Sequence, residues 1–444
     1  MSANKTDAFK SKLVAIAAIF TVSPGLFFLL FTRNRQLSEL QKIEVANQAL
    51  TTSATFFLGF AVMLNAYYAS KRAEAIRRNA IAIEKSNEIN TKNTQIAQER
   101  LATERFMNAI TQLGHENVAT RTGAIYVLEG VARESSQQNW TVMQILTAFV
   151  RENAVVRHLQ LETENKQTRV RTDVQTALTV IGRRNSPEDG TGSKLDLRNT
   201  DMRCADLRGA NLQHLDLRGS NLSEADLRGA DLTESDLDNC QLLGSILYDV
   251  SLHKASLRNA NLNLANLNRA WICGANLQSA NLSGANLRGA NLSGANLYKA
   301  DLRSANLKLA NLSKAKLFLA NLQGAKLGKA NLNHTGLMGA NLYGANLNGA
   351  NLLQANLNAA KLHHSEAYFA NFTAASLREA DLCGANLMGC NFQKAILCET
   401  NLSGANLMGA NLFGVDICDA IWDGAILTGA KNFEYQQMKV AMGD

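Results

Sequence analysis

Seven cysteines and seven histidines are the side chains of this 444-residue chain best suited to hold a metal or attack an electrophile. All seven cysteines fall between residues 204 and 418, in no spacing that a metal cage uses, and their number is odd. Free thiols in a reducing compartment are the reading this supports. His363 and His364 adjoin, with Glu366 nearby. Neighbouring residues of an extended chain point in opposite directions, so that group is not expected to converge on an ion. No His-Glu-x-x-His helix and no phosphate-cradling glycine loop with its lysine occurs. The sequence therefore nominates no catalytic residue, no cofactor-binding residue and no metal ligand, and it argues against an enzyme.

What positions these residues is a period of five. From Leu197 to Leu427 every fifth residue is apolar, over 47 pentads without an insertion. Met202, Ile272, Phe372, Phe392, Ile417 and Trp422 replace Leu without breaking step, and Ala367 is the one small residue in the series. A small residue, usually Ala, lies two positions before each Leu, with Asn or Asp between them, as in Ala285-Asn286-Leu287. In an extended backbone the small residue and the Leu share one face and the Asn takes the other. The next Leu would then fall on the wrong face, so the chain must turn once per pentad. The last two positions can make that turn, being rich in residues such as Gly284, Gly289 and Gly294 that tolerate unusual dihedrals. A helix is disfavoured, because a step of five does not keep Leu on one stripe.

The pattern over residues 195–430 resembles the pentapeptide-repeat family. The resemblance implies a mainly β fold, a right-handed quadrilateral β-helix with four pentads per turn. About twelve coils spaced ~4.8 Å apart would make a rod on the order of 55 Å long. Leu207, Leu227, Leu267, Leu287, Leu307 and Leu347 would stack inside as structural core, as would Leu282 and Leu302, leaving no ligand tunnel.

A twenty-residue turn also sorts the outward residues into columns. Asp196, Asp216 and Asp236 stack beside Arg198 and Arg218, and Asp206 and Asp226 beside Arg208 and Arg228. Opposite charges in adjoining columns offset the repulsion within each, which makes a structural ladder rather than a ligand site. Asn266, Asn286, Asn306 and Asn346 would form an amide ladder. Cys398 and Cys418 fall one coil apart with Cα atoms in disulfide range, although free thiols remain the preferred reading. Tyr298, Phe318 and Met338, with Leu319 beside Phe318, make an exposed apolar stripe fringed by Lys299, Lys308 and Lys314. It is a candidate protein-binding stripe, with tolerated surface scatter as the rival reading.

Ahead of the repeats, residues 13–31 and 53–69 are uncharged and long enough to cross most of a bilayer core. Two transmembrane helices joined by a loop form the expected anchor, residues 1–69; a cleavable signal peptide is the rival for the first, without a small-residue cleavage site. The loop carries Arg33, Arg35 and Lys42, while the outer flanks carry Lys5, Lys10, Lys12, Lys71, Arg72, Arg77, Arg78 and Lys85. That imbalance predicts both termini and the repeats in the cytoplasm. The cluster Lys71, Arg72, Arg77 and Arg78 is a candidate contact for anionic lipid, or simply a stop-transfer flank.

Residues 70–112 read as a helical stalk whose coiled-coil seam is weak. Residues 113–184 form amphipathic stripes such as Ala124, Leu128 and Val131, a HEAT-like helical cap for the first coil. Residues 104–133 look like the helical region that precedes the repeats in membrane-attached members of the family. A linker is expected at 185–194, around Pro187, and a short capping helix at 431–444 with Phe433 and Met438 toward the last coil. The formal charge of +7 resides ahead of residue 195, with 24 basic against 17 acidic residues; the repeats balance at 19 of each.

The function these features predict is a non-enzymatic, membrane-tethered scaffold that presents a rigid rod to unidentified protein partners, with homo-oligomers allowed. Regulation of a transporter or sensor through the membrane helices is the alternative. DNA mimicry, which the resemblance raises, requires an acidic rod. No basic stripe with interleaved aromatics suggests nucleic acid, and no small-molecule substrate is indicated. The resemblance points to a bacterial source.

Overall fold

The computed structural model describes residues 38–134, 136–156, 170–184 and 194–432, together with 11, 12, 14–19, 21, 22, 25, 26, 29, 30 and 33. The chain divides into two units, Met1–Leu101 and Ala102–Asp444. The described residues of 11–30 are helical. One helix, α1 (Glu39–Leu113), runs for 75 residues and contains an apolar window long enough to cross a membrane, none of it buried. Phe56, Phe57, Leu58, Val62 and Met63 are exposed along it. Residues 39–52, expected between two spans, are helical, because nothing in that stretch (no Pro, no Gly) stops a helix.

In the second unit, α2 (Val118–Glu134), α3 (Ser136–Asn153) and α4 (Thr172–Gly182) pack on one another. The last turns of α1 join them through buried Ala109 and Leu113. Their shared interior holds Ile125, Leu128, Val142, Leu146, Val150, Ala177, Leu178 and Ile181. Asp173 is fully buried there, held by Arg121 Nε at 2.7 Å and by Arg171 Nη2 at 2.5 Å. Burial pushes its carboxyl up, but the Arg171 and Arg121 hydrogen bonds outweigh that and leave it below its ordinary value.

From residue 196 onward the chain is a stack of bridges. Each pentad pairs one residue with the residue twenty further on, always in parallel, from Asp196 with Asp216 to Asn411 with Lys431. The hydrogen bonds repeat with it. The Leu207 amide donates to the Asp226 carbonyl at 2.8 Å, Gly209 to Arg228 at 2.9 Å, and Asp226 back to Ala205 at 2.9 Å. A turn closes each pentad, as where the Ala210 amide donates to the Leu207 carbonyl at 3.1 Å. The residue before the small position has positive φ, the demand of a type II turn. Glycine meets it at Gly209 (φ 62°), yet Leu264 (58°), Lys299 (56°) and Phe369 (53°) also adopt it. The inter-coil bonds on either side hold those residues in a conformation they would not choose alone.

Inside, Leu207 is 3 % exposed, Leu267 1 %, and Leu227, Leu287, Leu307 and Leu347 are at 0 %. Leu282 and Leu302 are both at 0 %, one coil apart, with the Leu282 amide bonded to the Asp301 carbonyl at 2.7 Å. Where Ala367 replaces Leu, the next side of that coil carries Phe372, which restores volume and stacks on Phe392 with centroids 4.8 Å apart. Several polar substitutes at the small position turn their side chains onto a carbonyl of the coil before. Ser220 Oγ donates to Leu197 at 2.6 Å and Cys240 Sγ to Leu217 at 2.9 Å.

The helices close the open first coil by hydrogen bonding to it. Asp201 donates to the Ala154 carbonyl at 2.6 Å and Asn211 to Gly182 at 2.8 Å, while Val156 donates to Asn199 at 3.1 Å. Gln175 brackets Asp206, its amide giving to the carbonyl at 2.7 Å and its Oε1 accepting the backbone N–H at 3.0 Å. Arg184 donates to the carbonyls of Asn211 and Gln213. At the other end Trp422 is buried, whereas Ile417, Ala425, Leu427 and Ala430 are only partly covered. Phe433 and Met438, the expected contacts of a capping helix, lie outside the described residues, as do Pro187 and most of the expected linker.

Candidate interaction surface

With its interior filled, the solenoid can act only through its outward columns, two per side at each pentad plus the corners. In the first coils these columns are ionic. Arg198 grips Asp196 with two hydrogen bonds, at 3.0 and 2.9 Å, and Arg208 grips Asp206 at 2.8 and 2.6 Å. Arg218 does the same for Asp216 and reaches Asp236 at 3.6 Å in the next coil. Arg208 lowers the Asp206 carboxyl and Arg228 that of Asp226, while the paired carboxylates raise the guanidinium groups. Arg151 of α3 joins at 2.7 Å from Asp196, tying the helices to the ladder.

Farther along, amides replace the ions. Asn306 donates to Asn286 at 3.2 Å and Asn286 to Asn266 at 3.4 Å. Lys326 interrupts that column, and Asn346 donates instead to Glu366 at 3.1 Å.

Tyr298, Phe318 and Met338 do lie on successive coils, since the Lys299 amide bonds to the Phe318 carbonyl and Leu319 to Met338, both at 3.0 Å. Met338 and Leu319 are exposed; Tyr298 and Phe318 are half-buried. Phe318 lies over Gly336, where a Cβ would fall 2.5 Å from the ring, and Leu319 leans over Gly339 in the same way. The stripe is thus partly seated in notches that glycines of the next coil provide. Lys308 does not fringe it. Ten residues are half a turn, so Lys308 sits on the opposite side, packed against Gly328. Lys299 does fringe it, with Nζ 5.2 Å from the Tyr298 ring centroid.

A second apolar cluster was not singled out in the sequence. On the side opposite the stripe stand Tyr368, Phe369, Met388 and Met408, with Phe369 72 % exposed above Gly389. A large residue followed twenty positions later by glycine is the signal that marks it, and it recurs at Leu264 and Gly284.

The cysteine reading requires correction at two of seven positions. Cys398 and Cys418 form a disulfide, their Cα atoms 4.5 Å apart, because in-register stacking puts both side chains on one column. Asp416 lies beside them. The other five are free. Burial pushes the thiols of Cys240 and Cys390 up to about 12, which makes them inert. His363 faces Asp381 (3.3 Å) and Tyr343 (centroids 4.7 Å), while His364 rests against Gly384. On α1, Lys71 and Arg78 pair with Glu74 at 3.6 and 2.5 Å. Arg72 and Arg77 have no ion-pair partner among the described residues.

Five-residue sides, parallel pairing at twenty and a leucine-filled bore define the class, a four-sided β-solenoid. The family model for pentapeptide repeats matches eight copies, over residues 193–229, 225–263, 295–333, 315–352, 337–366 and 368–404. The chain belongs to the pentapeptide-repeat family, whose members form right-handed quadrilateral β-helices. Among solved structures it is 35% identical to HetL, a pentapeptide repeat protein involved in heterocyst differentiation regulation from the cyanobacterium Nostoc. That match covers 53% of this chain and 88% of HetL, with a TM-score of 0.29. QnrB1, a plasmid-mediated fluoroquinolone resistance protein, is 19% identical over 40% of this chain and 92% of its own, with a TM-score of 0.36. A pentapeptide repeat protein from the cyanobacterium Cyanothece is 33% identical over 28% of this chain and 64% of its own, TM-score 0.13. No protein among those with curated functions matches the chain.

Proposed function

We propose that this protein is a non-enzymatic interaction module, tethered to a membrane, whose solenoid presents its outer faces to protein partners. The observation that carries this reading is the filled interior: the stacked Leu and Ala are almost wholly inaccessible, so recognition falls to the exterior. The tether in this reading consists of two spans, about 13–31 and 53–69, with both termini and the solenoid in the cytoplasm. The unburied apolar window of α1 supports a span. The basic residues Lys71, Arg72, Arg77 and Arg78 support the orientation and a contact with anionic headgroups. About twelve coils fill residues 195–430.

The stripe Tyr298, Phe318, Leu319 and Met338 is the proposed docking face. Replacing Phe318 with Asp puts a charge in its centre and is expected to lower recovery of crosslinked partners from native membranes at least about tenfold. Recovery equal to the parent chain would remove the stripe from the proposal.

A second reading, regulation of a transporter or sensor through the spans, is favoured by the apolar window of α1, which no described residue buries. Crosslinkers placed at Leu58 and Met63 discriminate: capture there, and not at Tyr298, favours regulation. DNA mimicry is poorly supported, because the Asp columns are neutralised by Arg198, Arg208, Arg218 and Arg228 rather than left as a phosphate-like row.

A further inference from the structure

We propose that Cys398, Asp416 and Cys418 form a binding site for a soft divalent cation of the Zn2+ class, open in the dithiol state and closed by the disulfide. The period of twenty puts both sulfurs on one outward column, and these are the two cysteines of the chain that share one. Cys398 is fully buried and Cys418 exposed, so the pair is anchored from below and reachable from solvent. The two Sγ atoms and an Asp416 carboxylate oxygen lie within 4.8 Å of one another. Around Zn2+, with bonds of ~2.3 Å to sulfur and ~2.0–2.2 Å to oxygen, tetrahedral ligand atoms sit roughly 3.5–3.8 Å apart. Opening the disulfide and modest side-chain rotation meet that requirement, and water takes the fourth position.

Electrostatics single the place out. In the first coils an Asp at this position is clamped by the Arg two residues on, as Asp216 is by Arg218. Here Cys418 stands where that Arg would be. Asp416 has no ion-pair partner among the described residues, its contact being the Cys418 amide at 3.5 Å. Glu379, Glu399 and Asp419 occupy the corner column alongside, also without ion pairs there, and Arg378 is the basic residue below Cys398 in its column. A carboxylate and two thiols beside an acidic margin, with Arg378 as the basic residue one coil below Cys398, make an electrostatic setting that favours a cation.

The chemistry balances. Binding M2+ to the dithiol releases two protons and leaves two thiolates, one carboxylate and the ion. A low-molecular-weight disulfide oxidises the pair by exchange: the protein gains one S–S bond, two small thiols leave, and the cation departs with its ligands gone.

The test uses the full-length chain, reduced with a phosphine, and Cd2+ as probe, because its thiolate complexes absorb in the ultraviolet. About one equivalent is expected to give the band, with Zn2+ competing. Cys418→Ser should abolish the band, Asp416→Asn should weaken binding at least about tenfold, and oxidised glutathione should release the ion. Circular dichroism reports whether each variant keeps its fold. An unchanged band in the Cys398→Ser, Cys418→Ser double variant would assign the binding to other thiols and overturn the proposal. So would the absence of a band from the reduced, folded parent, or a band undiminished after oxidation.

Discussion

At the scale of single residues, most polar side chains of the solenoid are committed to the stack. The carboxyls of Asp206 and Asp226 are held below their ordinary range by Arg208 and Arg228. A depressed folded pKa means that the stabilisation is complete above the unfolded value of ~3.9 and is lost as pH falls through the folded one. The first coils should therefore loosen before the asparagine-paired ones as pH drops below about 4. Hydrogen exchange by mass spectrometry checks this: protection of residues 196–228 is expected to fall while that of 306–331, which holds no carboxylate, persists. Both arginines and Asp206 are exposed and Asp226 is half-buried, so the effect should be modest and salt-sensitive. Simultaneous loss across the solenoid would assign acid lability to another cause.

At the scale of elements, the junction of α4 with the first coil has the most to lose from one substitution. Arg184 is nearly buried and donates to the carbonyls of Asn211 and Gln213. Arg184→Ala strands those acceptors where water is largely excluded. A loss on the order of 2–3 kcal/mol is expected, read as a lowered unfolding midpoint with early exchange at Asn211 and Gln213. Arg184→Lys should recover part of it, because one ammonium reaches one carbonyl but cannot fork to both. If Arg184→Ala unfolds at the parent midpoint, the helices are not what closes the coil.

For the solenoid as a whole, the period predicts which deletions survive. Removing residues 281–300 takes out one turn and leaves every column in register. The shortened chain should fold, and its stability should fall by no more than about one repeat's share. Removing only 281–285 shifts all later pentads by one side, so that the Asn286 column ends and unlike neighbours stack across the cut. Thermal unfolding of the two deletions compares them directly. The single-pentad deletion is expected to show the lower or broader transition, and equal transitions would mean that column identity contributes nothing.

The leucine period showed that the backbone turns every five residues and buries one face, while the resemblance to pentapeptide repeats supplied the four-sided coil and with it the side on which each residue lies. With four pentads to a coil, as the resemblance implied, Leu282 over Leu302 and the Asp–Arg ladder were legible in advance. Distances between side chains were not. That Phe318 settles onto Gly336 and that Cys398 joins Cys418 instead of both staying reduced depend on coils meeting at their surfaces, whereas the side that Lys308 takes follows from ten residues being half a turn. Composition within a pentad carries little information about the pentad twenty residues on. The helical cap was visible as amphipathic stripes, but its hydrogen bonds from Gln175 and Arg184 to the first coil required the tertiary structure. The reason is physical: a repeat is a local rule enforced by chain geometry, whereas what one coil offers its neighbour is decided only when they touch.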